Sequence, residues 1–226
     1  MFAVSATSRN SFVTYSLMQN TIYQFIDKYG AVNIHYSMIV YDDQLFRFVN
    51  FNHTFPPTAQ GLKTVITTQP PLTGGPVLEN VLDETLGIFN ETKSRPKAEK
   101  VLVVITDKNS PVTDANKLSG AVTPLENNGI LVISVAIGAV NRSELLVISP
   151  NPLDVISVEP SIDAGVLAER IMDRILRRKS FFVFLFGFVY LTNFFWKYSK
   201  KKKNNIVKCC CSTSFHFNDY NLIGIL

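Results

Sequence analysis

The sequence predicts an α/β fold in which helices cover both faces of a mostly parallel sheet, with one antiparallel strand at an edge. Two continuous apolar runs, VLVVIT (101–106) and ILVISVAIG (130–138), have the length and composition of strands buried on both faces. Amphipathic segments separate such runs, as crossover helices separate parallel strands. The turn Asp42-Asp43-Gln44 is too short for a crossover, so the strand after it must pair antiparallel.

The first part of the chain contributes three strands and one long helix. The run MFAVSA (1–6) is apolar and predicts a buried strand. Residues 12–29 follow a helical period up to Gly30, a residue that suits a helix end. Further strands are predicted at 34–43 and 45–51. The apolar face of the helix carries Phe12, Tyr15, Met18, Ile22, Phe25 and Ile26.

Helices and strands alternate through the rest of the chain as far as residue 178. Pro124 should bend the last turn of one of these helices, and Asn128-Gly129 should end it. In chain order we predict a short helix at 56–70, a helix after Pro76 with Leu78, Val81, Leu82, Leu86 and Phe89 on its apolar face, a loop at 93–100, the strand 101–106, a helix at 113–127, the strand 130–138, a short helix at 142–149, a strand at 154–159 and a helix at 161–178.

The formal net charge of +4 is the sum of two unlike parts. Residues 1–173 hold 12 basic and 17 acidic side chains, a net charge of −5, whereas residues 174–226 hold 10 basic and 1 acidic, a net charge of +9. The predicted α/β region is therefore mildly acidic, and nucleic acid is not an expected partner. All three cysteines lie after this region, so it contains no disulfide and no thiolate metal site.

Three loops should meet at the carboxyl edge of the parallel strands, where open α/β sheets bind ligands. They are Ser5-Ala-Thr-Ser-Arg9 after the first strand, Leu72-Thr-Gly-Gly75, and Thr106-Asp107-Lys-Asn-Ser110. Asp107 follows a buried strand directly, so its carboxylate is either a turn cap or a ligand for a cation or a hydroxyl group.

From residue 2 to residue 178 the chain resembles the von Willebrand factor type A domain family. The resemblance rests on KVLVVITDKNS (100–110), GILVISVAIG (129–138), SELLVISPNP (143–152) and DVISVEPSIDAGVLAERIMDRIL (154–176), in that order. It implies a Rossmann-like three-layer fold that binds proteins. Many members carry a metal-ion-dependent adhesion site, in which Asp-x-Ser-x-Ser after the first strand, a middle-loop Thr and an Asp after the fourth strand hold Mg²⁺.

This sequence departs from the family's metal motif at several positions. Ser5 stands where the first Asp is expected, Thr7 replaces the first Ser, and Arg9 replaces the second Ser unless the loop slips by one residue to Ser8. Thr73 matches the middle-loop Thr only loosely. Asp107 matches fully, but Lys108 follows it in place of glycine. We therefore predict a degenerate site at Ser5, Thr7, Thr73 and Asp107 and expect no cofactor, with Mg²⁺ binding as the alternative.

Little in the sequence favours an enzyme. It contains three His and neither a G-x-G-x-x-G nor a G-x-x-x-x-G-K-[ST] phosphate loop. A small cytosolic α/β enzyme, acting at the edge around Thr7, Thr73 and Asp107, is the second alternative to a binding function.

Residues 179–226 form a hydrophobic and then Lys-rich tail. The apolar run is long enough for one membrane span over 180–198, because a spanning helix needs about 20 residues. A span would place Cys209, Cys210 and Cys211 near the membrane, as candidates for lipidation. The tail is also rich in Phe, Tyr, Asn, Lys and Ile, whose codons can be made of A and T alone, and such a composition is typical of translated non-coding sequence. Because the sequence starts inside the first predicted strand, we expect the N-terminus to be truncated there.

The resemblance implies a protein-interaction or adhesion module from an extracellular matrix or cell-surface protein, with a protein ligand. Asn52, Asn90 and Asn141 lie in N-x-[ST] sequons and are candidate glycosylation sites. The first alternative is a single-pass membrane receptor whose ectodomain has this fold.

Overall fold

The structure, a computed structural model, describes ten stretches of the chain. No helix in these stretches has both the length and the apolar character that crossing a membrane requires, and the predicted span 180–198 lies outside them. The described residues are 1–5, 12–30, 33–42, 44–49, 51, 60–61, 64, 77–91, 97–109 and 115–177.

Six strands form one sheet in the order β3-β2-β1-β4-β5-β6. Every neighbouring pair is parallel except β2 and β3, which pair antiparallel at one edge. The predicted fold class is confirmed. In chain order the elements are β1 Phe2–Ser5, α1 Phe12–Tyr29, β2 Met38–Tyr41, β3 Leu45–Val49, α2 Leu78–Glu91, β4 Lys100–Thr106, α3 Ala115–Asn127, β5 Ile130–Ile137, α4 Arg142–Ile148, β6 Val155–Val158 and α5, residues 164–177.

The central strands are buried on both faces, and their side chains alternate between two hydrophobic cores. Val103 and Ile105 of β4 join the core beneath α1 and α5. Leu102 and Val104 join the opposite core, beneath α2, α3 and α4. Successive side chains of a strand point to opposite faces, so the continuous apolar runs predicted from the sequence fill both helix–sheet interfaces.

Two details of the first part differ from the sequence prediction. The second strand begins at Met38 rather than at residue 34, and in the stretch before it the Tyr36 hydroxyl donates to the Gly30 carbonyl (2.7 Å). The helical period predicts Phe12 on the apolar face of α1, but this side chain is 83% exposed. Phe12 occupies the first turn of α1. Helical periodicity predicts which face of the helix a residue lies on, but not how far along the helix the core extends.

The later elements match closely, with shorter ends. The last strand begins at Val155 because the 3₁₀ turn Pro152–Asp154 precedes it. The helix that contains Pro124 continues to Asn127, and Gly129 follows with a φ of 69°, the left-handed conformation typical of a helix end. Most of the short helix predicted at 56–70 lies outside the described residues.

Candidate functional site

The carboxyl edge of β4 is built around two residues that leave the strand together. Thr106 is buried, and its hydroxyl donates to the Lys108 carbonyl (2.8 Å) and accepts from the Lys108 amide (3.2 Å). This small turn holds Asp107 half-buried at the edge of the sheet. The Asp107 carboxylate is thus positioned by the backbone of its own loop.

Strand order places the ends of β1 and β2 beside this turn. β1 lies between β2 and β4, and Ser5 is opposite Tyr41 in the parallel register. Both residues are fully buried. The Tyr41 hydroxyl lies next to the Thr106 side chain. Ser5, Tyr41, Thr106 and Asp107 therefore form one cluster, called here the rim cluster.

Two side chains of the rim cluster, Tyr41 and Asp107, have a buried polar atom that lacks a hydrogen bond of ordinary geometry in the described part of the chain. In the described part of the chain, Asp107 Oδ1 is buried without a partner, and the Tyr41 hydroxyl makes no hydrogen bond of ordinary geometry. The Tyr41 hydroxyl lies close enough to the Thr106 side chain to interact with it, and the Thr106 hydroxyl also bonds to the backbone of Lys108. Buried polar groups without partners are uncommon and occur at functional sites.

Burial dominates the electrostatics of this cluster. It raises the pKa of the Asp107 carboxyl, and the opposing charge of Lys108 offsets only part of that effect. Burial also raises the pKa of Tyr41, which therefore stays protonated at neutral pH, and the nearby carboxylates of Glu144 and Asp107 act in the same direction. The cluster thus contains a poorly solvated carboxylate beside a neutral phenol.

The next loop along the sheet is joined to this one. The Asn141 amide donates to Asn109 Oδ1 (2.6 Å), which connects the loop after β5 to the loop after β4. Asn141 also caps α4, because its Oδ1 accepts from the Ser143 amide (3.0 Å) and hydroxyl (2.8 Å). This cap fixes the first turn of α4, which carries Glu144.

The structure brings together some of the predicted site residues. Ser5 ends β1, and Asp107 directly follows β4, the strand that pairs with β1. Asn90 and Asn141 are both exposed, the first in the last turn of α2 and the second at the cap of α4. The predicted residues outside the described part are Thr7, Ser8, Arg9, Thr73, Asn52, Cys209, Cys210 and Cys211.

Sequence reasoning missed Tyr41 and Glu144. Tyr41 is the last residue of a buried strand, and this position alone could have drawn attention to it. Glu144 had no comparable signal, because its proximity to Tyr41 depends on how α4 packs against the sheet.

Residues 5–165 match the family model for the von Willebrand factor type A domain, and the chain belongs to this family. The matched range runs from the end of β1 to the start of α5 and includes all the described loops of the rim cluster. The family is one of protein-interaction and adhesion modules.

Solved structures with the same fold have low sequence identity to this chain. Proximal thread matrix protein 1 from the mussel byssus is 17% identical with a TM-score of 0.60, over 77% of this chain and 44% of that protein. A von Willebrand factor type A protein from Catenulispora acidiphila is 16% identical with a TM-score of 0.62, over 77% and 40%. The Plasmodium vivax TRAP protein is 13% identical with a TM-score of 0.63, over 77% and 71%. The chain thus matches less than half the length of the first two.

Some of these neighbours bind metal. One structure of the mussel protein has a zinc-occupied adhesion motif, and the Plasmodium protein is manganese-loaded. In the described stretches of this chain, no three His, Cys, Asp or Glu side chains form a group that could hold a metal ion.

Proposed function

We propose that this chain is a protein-interaction module that binds its partner at the rim cluster without a bound metal ion. The observation that carries the proposal is Ser5, which is buried at the end of β1 where the family's metal motif has its first carboxylate. Membership of a family of interaction modules supports the binding function. The joined loops around Asn109 and Asn141 support the carboxyl edge as the binding surface.

The donors at the rim do not fit a divalent cation. Mg²⁺ takes near-octahedral oxygen ligands, with carboxylates supplying negative charge. Ser5 offers a neutral hydroxyl in place of a carboxylate, and the sequence places Lys108 directly after Asp107. The raised pKa of Asp107 means that nearby positive charge does not offset the cost of its burial. The family site has thus lost charge that would balance the ion.

We further propose an extracellular matrix or cell-surface setting for this module and no enzymatic activity. The similarity to a thread matrix protein of the mussel byssus supports the matrix setting. A membrane receptor with this ectodomain would require the segment 180–198 to span the bilayer. Protease protection of an epitope tag placed after residue 226, in intact transfected cells, distinguishes the anchored form from a secreted form.

Solid-phase binding of the full chain to a panel of purified matrix proteins tests the function. We expect binding that persists in EDTA and changes at least tenfold in Lys108→Glu, because the substitution reverses a charge beside Asp107. Lys97→Glu is the matched control, since Lys97 is exposed before β4, at the opposite edge of the sheet. Loss of binding in EDTA would contradict the metal-free site. Equal binding by Lys108→Glu and Lys97→Glu would contradict the assigned surface, and so would the absence of binding to any matrix protein.

A further inference from the structure

We propose that the rim cluster binds a basic side chain, Arg or Lys, of the protein partner, with Asp107 as the anion that receives it. This inference rests on the proposed function, because it names the chemistry of the partner at the same site. It differs from the family's metal chemistry, in which an ion joins the domain to a carboxylate of the ligand.

The first argument is the hydrogen-bonding capacity of Asp107. An ionised carboxylate only accepts hydrogen bonds, and its Oδ1 is buried without a donor in the described part of the chain. This oxygen therefore lacks a hydrogen-bond donor, which would be an N–H or O–H group. The strongest donors to a carboxylate are charged, and a guanidinium can donate to both of its oxygens at once. Oδ1 itself is buried, but Asp107 as a whole is only half-buried, so a ligand at the edge of the sheet can contact the exposed part of this residue.

Tyr41 provides a second, independent observation. Its side chain is fully buried, yet its hydroxyl lacks an ordinary hydrogen bond, although it lies close enough to Asp107 and Glu144 for both to affect its pKa. A phenol can donate to a carboxylate and accept from an N–H group at the same time. A cation bound at Asp107 would complete a network in which Tyr41 also gains a partner.

The charges near the cluster favour a cation over an anion. Glu144 on α4 adds a second negative charge close to Tyr41. Lys108 adds a positive charge, but its effect on Asp107 is smaller than that of burial. An organic cation carries one charge and needs acceptors at ordinary hydrogen-bond distances, whereas Mg²⁺ needs a near-octahedral oxygen set that the described residues do not supply.

Amide chemical shifts of the full ¹⁵N-labelled chain, titrated with short peptides, test this inference. The probe is an acetylated Gly-Ser peptide that contains one Arg. The control ligand is the same peptide with citrulline in place of Arg, because citrulline keeps the shape of the side chain but lacks its charge. We expect saturable shifts at Asp107, Lys108 and Glu144 with the Arg peptide, and binding at least tenfold weaker with citrulline. Asp107→Asn should weaken binding at least tenfold, and Glu126→Gln, an exposed acid on α3 at the opposite edge, should not.

A second variant keeps the test valid if Asp107→Asn alters the loop. Lys108→Gln removes the opposing charge, so it should tighten binding of the Arg peptide about threefold. Equal binding of the Arg and citrulline peptides, shifts elsewhere on the domain, or stronger binding of a Glu peptide would overturn the proposal. None of these results would by itself contradict the proposed interaction function, which is tested separately by the EDTA and charge-reversal arms of the matrix-protein assay.

Discussion

Ser134 and Ser149 form a hydrogen-bonded pair that fastens the end of α4 to β5. Both side chains are buried, and their hydroxyl oxygens lie 2.7 Å apart. The Ser149 hydroxyl donates to the Val132 carbonyl (3.0 Å), which uses its only proton. Ser134 must therefore be the donor in the shared bond, with Ser149 as the acceptor. This direction makes the two residues unequal, and alanine substitutions can detect the difference.

Removing Ser149 should cost more than removing Ser134. Ser149→Ala breaks both hydrogen bonds and leaves the Ser134 hydroxyl as a buried donor without an acceptor, for about 2–3 kcal/mol. Ser134→Ala breaks one bond and leaves the bond from Ser149 to Val132 in place, for about 1 kcal/mol. The double variant also loses two bonds but strands no donor, so it should cost about 2 kcal/mol, less than the two single effects together.

Urea unfolding of the four proteins, followed by circular dichroism, measures this cycle. Ser119→Ala is the control, because Ser119 is exposed on α3 and should change the free energy of unfolding by less than about 0.5 kcal/mol. A larger loss in Ser134→Ala than in Ser149→Ala would refute the assigned donor direction. Strict additivity would refute the coupling between the two hydroxyl groups.

Two further predictions concern the rim cluster and the helices. Burial raises the pKa of Asp107, so protonation favours the folded state and stability falls as pH rises above the ordinary carboxyl pKa, about 3.9. In EDTA, Asp107→Asn should therefore raise the melting temperature at pH 7. The corresponding gain in the free energy of unfolding should be no more than about 1 kcal/mol, because the side chain is half-exposed. This gain should vanish by about pH 3.5. A lower melting temperature at pH 7 would contradict it. Gly87→Ala in α2 should stabilise by about 1 kcal/mol, because an added Cβ meets nothing within 4 Å. Gly129→Ala should destabilise by about 1–2 kcal/mol because of its φ of 69°. Thermal unfolding should shift in opposite directions for these two variants, and shifts in the same direction would contradict the argument.

The pattern of apolar residues along the chain is enough to determine most of the fold. Runs such as 101–106 and 130–138 are apolar at nearly every position, a pattern typical of strands that are covered on both faces. The short turn at 42–44 makes the edge strand antiparallel. These features are local, because the burial of a strand or the reach of a turn depends on a few consecutive residues. The same local signals place Ser5 and Asp107 at the carboxyl ends of strands, Ser5 near the end of the first run and Asp107 directly after the run 101–106.

The composition of the rim cluster was decided only by the tertiary structure. The lateral order of the strands places β1 between β2 and β4, and this order depends on packing between residues far apart in the chain. It brings Tyr41 next to Thr106, while the packing of α4 brings Glu144 near Tyr41. Phe12 shows the same limit, since its helical position predicted burial but the core ends before it. The sequence thus specified which residues end the strands, and long-range packing specified which of those ends become neighbours.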